Sequence, residues 1–177
     1  NSYSLEIGHA GFFNAILDDM DIDPAQKPEI CSLTESKNFA ALSDLLASIG
    51  DTVQTRVLRR LPRLFGGAEV LEQAKRLYSS EKSDTALDYL GNIYQKLCAL
   101  GHQDHIMIDL GLVNRTNYYT GIIFRGYAEG SGVSVLSGGR YDNLIGKFGL
   151  DAPAIGFAVD INALFDVMHE VINVERP

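Results

Sequence analysis

Two adjacent tyrosines, Tyr118 and Tyr119, are well placed in this sequence to orient a small polar ligand. Each supplies a hydroxyl that donates and accepts hydrogen bonds, and a ring face for stacking. They begin a run of β-branched and aromatic residues, 118–127, that predicts a strand, and a second such run at 133–136 predicts its hairpin partner. Because neighbours on a strand point to opposite faces, one tyrosine is expected to face a pocket and the other the opposite layer.

An arginine follows a pair of glycines where the second strand is predicted to end. Gly138 and Gly139 lack Cβ atoms, so the chain can turn sharply there or let a ligand approach the backbone. Arg140 can then receive a ligand carboxylate as a fork, or fix a loop through Asp142 or Asp109, and the sequence does not choose between these roles. Tyrosine hydroxyls at one strand start and a guanidinium at another strand end suit a small zwitterion.

A histidine in a turn and an aspartate in a strand are further candidates. His9 belongs to a Gly-His-Ala-Gly turn after a strand predicted at 4–7, so it is either a ligand contact or a turn histidine bonded to the backbone. Asp109 lies in a near-continuous apolar strand, and a buried carboxylate needs a partner. Arg115 and Arg140 are the candidates for that partner.

The elements that position these residues are predicted to form a single α+β unit. The first strand and its helix, within 1–23, are separated from the later strands, within 104–177, by a block at 24–103. Leucine and isoleucine recur at helical spacing throughout this block, and no strand pattern is seen there. Three elements are expected after the hairpin: a short helix at 141–148, a strand at 154–159 in which Gly156 suits close backbone approach, and a helix at 161–172.

Composition excludes several classes of function. The chain has 177 residues, of which 46% are apolar and 21% charged, and it contains no apolar run long enough to span a membrane. A formal net charge of −8 disfavours nucleic acid as a partner, and the arginines clustered at 56–63 are more simply a solvated face or a protein contact than a phosphate patch. Cys31 and Cys98 lack metal-ligand spacing, and the aspartates at 18–23 lack the pattern of a calcium loop. A reduced, cytoplasmic protein without metal or cofactor is predicted.

Two stretches resemble the histidine-specific signatures of histidyl-tRNA synthetases and their non-synthetase relatives. They are NYYTG at 117–121 and GGRYDNL at 138–144, and the stretch 153–158 is similar to the opening of the third class II synthetase motif. The resemblance implies a mainly antiparallel sheet of the class II aminoacyl-tRNA synthetase type, flanked by helices, with the helical block inserted. It also implies a histidine site formed by Tyr118, Tyr119, Arg115, Gly138, Gly139, Arg140 and Gly156.

Departures from the synthetase pattern point away from catalysis. The synthetases carry an arginine that assists attack on the adenylate where this sequence has Asn114, and the adjacent Arg115 would point to the other face of a strand. Their third motif carries an arginine that clamps ATP where this sequence has Ala163, and Asp160 would repel a phosphate. No catalytic residue is therefore predicted.

The relative that fits these departures is the regulatory subunit of the short-form ATP phosphoribosyltransferase. This resemblance implies a protein that binds histidine as an effector and conveys feedback to the catalytic subunit in the first step of histidine biosynthesis. It also implies self-association through a class II-type dimer, and a longer protein of which this sequence is the C-terminal part. Two alternatives remain open: a divergent histidyl-tRNA synthetase fragment that activates histidine with ATP, and a ligand-free scaffold for protein contact.

Overall fold

A computed structural model describes residues 3–113 and 118–174, and its centre is a mixed sheet. The strands are β1 (Tyr3–His9), β2 (Phe65–Gly66), β3 (Ile106–Asp109), β4 (Ile122–Ala128), β5 (Leu136–Arg140) and β6 (Ile155–Val159). They are arranged in the order β2-β3-β1-β4-β5-β6. β1 pairs in parallel with β3, whereas the other neighbouring strands pair antiparallel. The predicted mainly antiparallel sheet in an α+β fold is confirmed.

Helices account for most of the remaining described residues. They are α1 (Ala10–Asp18), α2 (Gln26–Glu35), α3 (Phe39–Ile49), α4 (Val53–Arg60), α5 (Glu69–Leu77), α6 (Glu81–Ala99) and α7 (Ile161–Val174). Thr52 and Ser80 begin α4 and α6 with reciprocal capping boxes. The helix predicted at 141–148 is reduced to a 3₁₀ turn at Ile145–Phe148. Within the described ranges, no helix combines the length and the hydropathy needed to cross a bilayer.

One hydrophobic core joins the helices to one face of the sheet. Ile7 of β1 and Ile108 of β3 belong to the same buried cluster as Phe12 of α1 and Leu87 of α6, and Phe124 of β4 packs against it. Burying a side chain of this size stabilises the fold by roughly 1.5–3 kcal/mol. Helices α2 to α6, which lie within the block at 24–103, therefore share their packing with the sheet. The expectation that this block contains no strand was wrong at Phe65–Gly66, where β2 pairs antiparallel with β3.

The strand register defines two faces of the sheet. Ile7 is the cross-strand partner of Phe124, and both point towards the helices; we call this side the helix face. Side chains alternate along a strand, so Glu6 and its partner Arg125 point to the other side, which we call the open face.

The hairpin of β4 and β5 is present, but its strands lie further along the chain than the pattern indicates. β4 begins after Tyr118 and Tyr119, and β5 contains Gly138, Gly139 and Arg140 instead of ending before them. The expected strand limits were wrong because glycine has low strand propensity, whereas packing across this sheet requires positions without a Cβ atom.

Candidate functional site

Tyr118, Tyr119 and Tyr141 form an aromatic cluster on the open face. The ring centroids of Tyr118 and Tyr119 are 4.3 Å apart, and the Tyr141 ring lies 5.8 Å from the first and 6.4 Å from the second. The expectation that the two adjacent tyrosines face opposite ways is wrong, because they precede β4 and do not alternate as strand residues do. Burial, followed by a hydrogen bond with Tyr118, raises the pKa of the Tyr119 hydroxyl, which therefore remains a neutral hydrogen-bond donor at physiological pH.

Two glycines make room for this tyrosine cluster. A Cβ atom at Gly139 would lie 2.7 Å from the ring of Tyr119, and one at Gly156 would lie 2.6 Å from the hydroxyl of Tyr141. Larger residues at these positions would have to displace a tyrosine. Gly139 and Gly156 are partners across β5 and β6, so their adjacent backbone lies beneath the side chains of Tyr119 and Tyr141.

Gly138 and Arg140 lie on the helix face, away from the tyrosine cluster. A Cβ atom at Gly138 would lie 2.7 Å from the ring of Phe124 and from the Cβ atom of Phe157, so this glycine serves packing. The Nε atom of Arg140 donates to both carboxylate oxygens of Asp142, at 2.8 and 2.9 Å. Arg140 therefore fixes a loop through Asp142, which is one of the roles that the sequence left open for it.

Polar residues of β1 and β4 extend the open face beside the tyrosines. The Tyr127 hydroxyl donates to the Glu6 carboxylate at 2.9 Å, and burial together with this hydrogen bond raises the pKa of Tyr127. Arg125 is the cross-strand partner of Glu6. The site prediction missed these residues, although the polar and apolar alternation of the first strand marks Glu6 as facing away from the core.

Asp109 finds its partners in its own turn and in the helical block. Its Oδ1 atom accepts the N–H of Gly111 at 2.8 Å, and its Oδ2 atom lies 3.9 Å from Nζ of Lys37. Burial raises the pKa of Asp109, and both of these contacts partly oppose the shift. Arg140 was the wrong partner for Asp109, and Arg115, with the rest of 114–117, lies outside the described residues.

His9 is the N-cap of α1. Its Nδ1 atom accepts the N–H of Gly11 at 3.0 Å, which confirms the interpretation as a turn histidine bonded to the backbone. Its ring lies on the helix face, 5.6 Å from the ring of Tyr89. Burial, followed by the charge of Arg140, lowers the pKa of His9 from 6.5 to about 4, so the imidazole is neutral at physiological pH.

We expect His9→Asn to reduce the pH dependence of stability between the unfolded and folded pKa values of His9, 6.5 and about 4. As the pH falls through this window, the unfolded state binds the proton first, so the native state loses stability. At ~1.4 kcal/mol for each pKa unit, the loss is at most about 3 kcal/mol. Asparagine keeps an N-cap acceptor but does not titrate. Urea unfolding across the window measures the effect, and an equal pH dependence in both proteins would contradict it.

Solved structures place this fold in a known class. A structure from Bacillus halodurans described as an ATP phosphoribosyltransferase regulatory subunit/histidyl-tRNA synthetase is 34% identical, with a TM-score of 0.86 over 94% of this chain and 44% of that chain. The histidyl-tRNA synthetase from Nostoc sp. PCC 7120 is 22% identical, with a TM-score of 0.79 over 97% of this chain and 43% of that chain, which supports the fold alone. The sheet and its flanking helices are thus of the class II aminoacyl-tRNA synthetase type.

Within this class, the family is shown by the sequence. The family described as Histidyl-tRNA synthetase matches residues 1–164, and the chain belongs to it. The ATP phosphoribosyltransferase regulatory subunit of Clostridium kluyveri is 40% identical over 166 residues, or 92% of this chain and 42% of that protein. Its counterpart from Clostridium acetobutylicum is 38% identical over 174 residues, or 97% of this chain and 43% of that protein. The chain therefore spans less than half the length of these curated relatives.

Proposed function

We propose that this chain is part of an ATP phosphoribosyltransferase regulatory subunit, which binds histidine and conveys feedback to the catalytic subunit without aminoacylating tRNA. Support comes from curated relatives of that name at 38 to 40% identity. The polar groups of the open face support histidine as the ligand, because they match the hydrogen-bonding needs of an amino acid. The protein acts in the cytoplasm, in a hetero-oligomer with the catalytic subunit and with self-association through a class II-type dimer.

Free histidine needs an anionic or carbonyl acceptor for its ammonium group, donors for its carboxylate and oriented hydrogen bonds for its imidazole. Glu6 and Arg125 bring a carboxylate and a guanidinium to adjacent positions on the open face. The rings of Tyr118 and Tyr119 are in contact, and the Tyr119 ring covers the buried backbone of Gly139. In the proposed site, the tyrosine hydroxyls orient the ligand, and Gly139 leaves the room that the Tyr119 ring occupies. Arg115 is retained as a predicted member of the site.

The proposal that catalysis is lost rests on the geometry at the start of α7. Oδ1 of Asp160 accepts the N–H groups of Asn162 and Ala163 at 3.0 Å each, so this carboxylate caps the helix. Ala163 itself is buried, with 7% of its surface exposed. By resemblance, this is the position of the synthetase arginine that clamps ATP. A methyl group beside a carboxylate offers no positive charge to a triphosphate, whereas adenylate formation depends on such charge.

Two measurements on the complete gene product test the function. Calorimetry is expected to detect histidine binding, and histidine-dependent pyrophosphate exchange is expected to be absent. Addition of histidine should change the activity of the catalytic subunit when the two are mixed, through a coupling of roughly 1 to 3 kcal/mol. Failure to bind histidine would leave the scaffold alternative, and pyrophosphate exchange would restore the synthetase alternative.

Tyr119→Phe is expected to weaken histidine binding by about 5- to 30-fold. This corresponds to roughly 1 to 2 kcal/mol, the free energy of one lost hydrogen bond to a charged or polar group. The ring remains, so its contact with Gly139 is preserved. Tyr89→Phe is the matched control, because it removes a phenolic hydroxyl from the helix face near His9. Calorimetric titration of both variants gives the comparison. Equal affinities would exclude the Tyr119 hydroxyl from the site.

A further inference from the structure

A second cavity, of about 490 Å³, lies on the helix face, on the opposite side of the sheet from the tyrosine cluster. It extends between α1 and α6, with His9 and Tyr89 towards one end and Asp18 and Lys82 towards the other. The helical rise from Gly11 to Asp18 is about 10 Å, so the cavity is an elongated slot. Its volume falls in the range of roughly 300 to 1,000 Å³ that is typical of small-molecule sites.

The floor of the slot is made of small apolar residues. Gly11 and Ala15 of α1 and Ala86 of α6 line it. A Cβ atom at Gly11 would lie 3.3 Å from the Cβ atom of Ala86, so the two helices are closely packed beneath the slot. Such a floor presents a flat surface without polar groups of its own, and it suits a flat apolar body.

Hydrogen-bond donors converge at the sheet end of the slot. Because Nδ1 of His9 accepts from Gly11, the neutral ring carries its proton on Nε2. Nε2 has no hydrogen-bond partner among the described residues. Every fully buried side-chain nitrogen in the described part of the chain has a partner, so Nε2 is not fully buried and is accessible from the slot. Arg140 binds Asp142 through Nε and approaches the Tyr89 hydroxyl with Nη1 at 3.5 Å, which leaves Nη2 without a partner in the described part of the chain.

The groups at the sheet end of the slot carry little net charge. Asp142 neutralises Arg140, and its Oδ2 atom also accepts the hydroxyl of Thr120 at 3.1 Å. The guanidinium and imidazole therefore offer N–H groups with little net charge, which suits a carboxylate better than a dianionic phosphate.

We propose that this slot binds a small carboxylic acid with a flat apolar body. Its carboxylate would accept hydrogen bonds from His9, Arg140 and Tyr89, and its body would lie on Gly11, Ala15 and Ala86. Tyr118, Tyr119 and Tyr141 do not line the slot, although Asn14 of α1 lines both the slot and the pocket beside Tyr119.

The test uses 3-phenylpropionate as the probe and the complete gene product as the protein. Calorimetric or NMR titration is expected to show saturable binding, and the neutral 3-phenylpropanamide should bind at least about tenfold more weakly, because it lacks the charge that strengthens these hydrogen bonds. Phenyl phosphate tests whether the slot prefers a carboxylate to a dianionic phosphate, and it should also bind more weakly than 3-phenylpropionate. No saturable binding, or equal binding of the acid and the amide, would overturn the proposal.

Variants of Thr85, an exposed residue on the wall of the slot, locate the bound probe. Thr85→Phe fills the slot and should weaken 3-phenylpropionate binding by at least about tenfold, whereas Thr85→Ala, which leaves it open, should change the affinity less than about twofold. Tyr119→Phe should leave the probe affinity unchanged, and saturating histidine should not compete with the probe. Displacement by histidine, or equal binding to both Thr85 variants, would place the probe elsewhere and overturn the assignment.

Discussion

Gly139→Val is expected to lower the affinity for histidine by about 100-fold or more, equivalent to roughly 2.7 kcal/mol. A Cβ atom at this position would lie 2.7 Å from the carbonyl oxygen of Ile122 and 2.7 Å from the ring of Tyr119. The carbonyl belongs to the neighbouring strand, so the substitution has to shift the backbone of the hairpin as well as displace the tyrosine ring. Valine adds two methyl groups to the same crowded space, and overpacking of this kind costs about 1 to 3 kcal/mol of stability as well.

Gly126→Ala is the matched control for this substitution. Gly126 lies in the same hairpin, and a Cβ atom there would meet Leu136 at 3.4 Å, an ordinary van der Waals distance. Its histidine affinity should remain within about twofold of wild type. Calorimetry gives the affinities, and circular dichroism confirms that both proteins are folded. Equal histidine affinities in folded Gly139→Val and Gly126→Ala proteins would show that the ligand does not use the Tyr119 side of the sheet.

The sequence alone predicts the order of the elements well, because periodicity and capping are local properties. The recurrence of Leu87, Leu90, Ile93 and Leu97 indicates one long helix, and α6 extends through all of them. Gly50 follows the last residue of α3, as a glycine after an apolar helical stripe predicts. These signals depend only on residues a few positions apart.

The arrangement of the candidate site is harder to predict, because the face of each side chain depends on strand limits and on distant contacts. Gly138 and Gly139 are adjacent, yet one contacts Phe124 on the helix face and the other Tyr119 on the open face. An error of one residue in the register exchanges these roles. Lys37 reaches Asp109 from a left-handed position with φ of 54°, in a loop of the helical block that no local pattern connects to the strand.

The common core predicts a large loss of stability for Phe12→Ala, about 3 to 5 kcal/mol, as for other buried phenylalanines. Phe12 has 0% of its surface exposed and belongs to the cluster that contains residues of both the sheet and the helical block. Phe148→Ala is the control, since Phe148 is 82% exposed and should change stability by no more than about 0.5 kcal/mol. Urea unfolding of the complete gene product measures both. A Phe12→Ala loss as small as that of the control would contradict the shared core.

Histidine binding to the Phe12→Ala protein tests whether this core and the proposed site are coupled. A ligand that binds only the native state stabilises it by about 2.7 kcal/mol at 100 times its Kd, whatever the cause of the initial instability. The N-terminus of α1 contacts the site region directly, since Ala10 packs with Ile123 and Tyr119. If the Phe12→Ala protein keeps that packing, histidine should raise its unfolding free energy by the same amount as in wild type. A smaller increase would mean that the cavity left by Phe12 disturbs the open face through α1, and would place this helix between the core and the ligand.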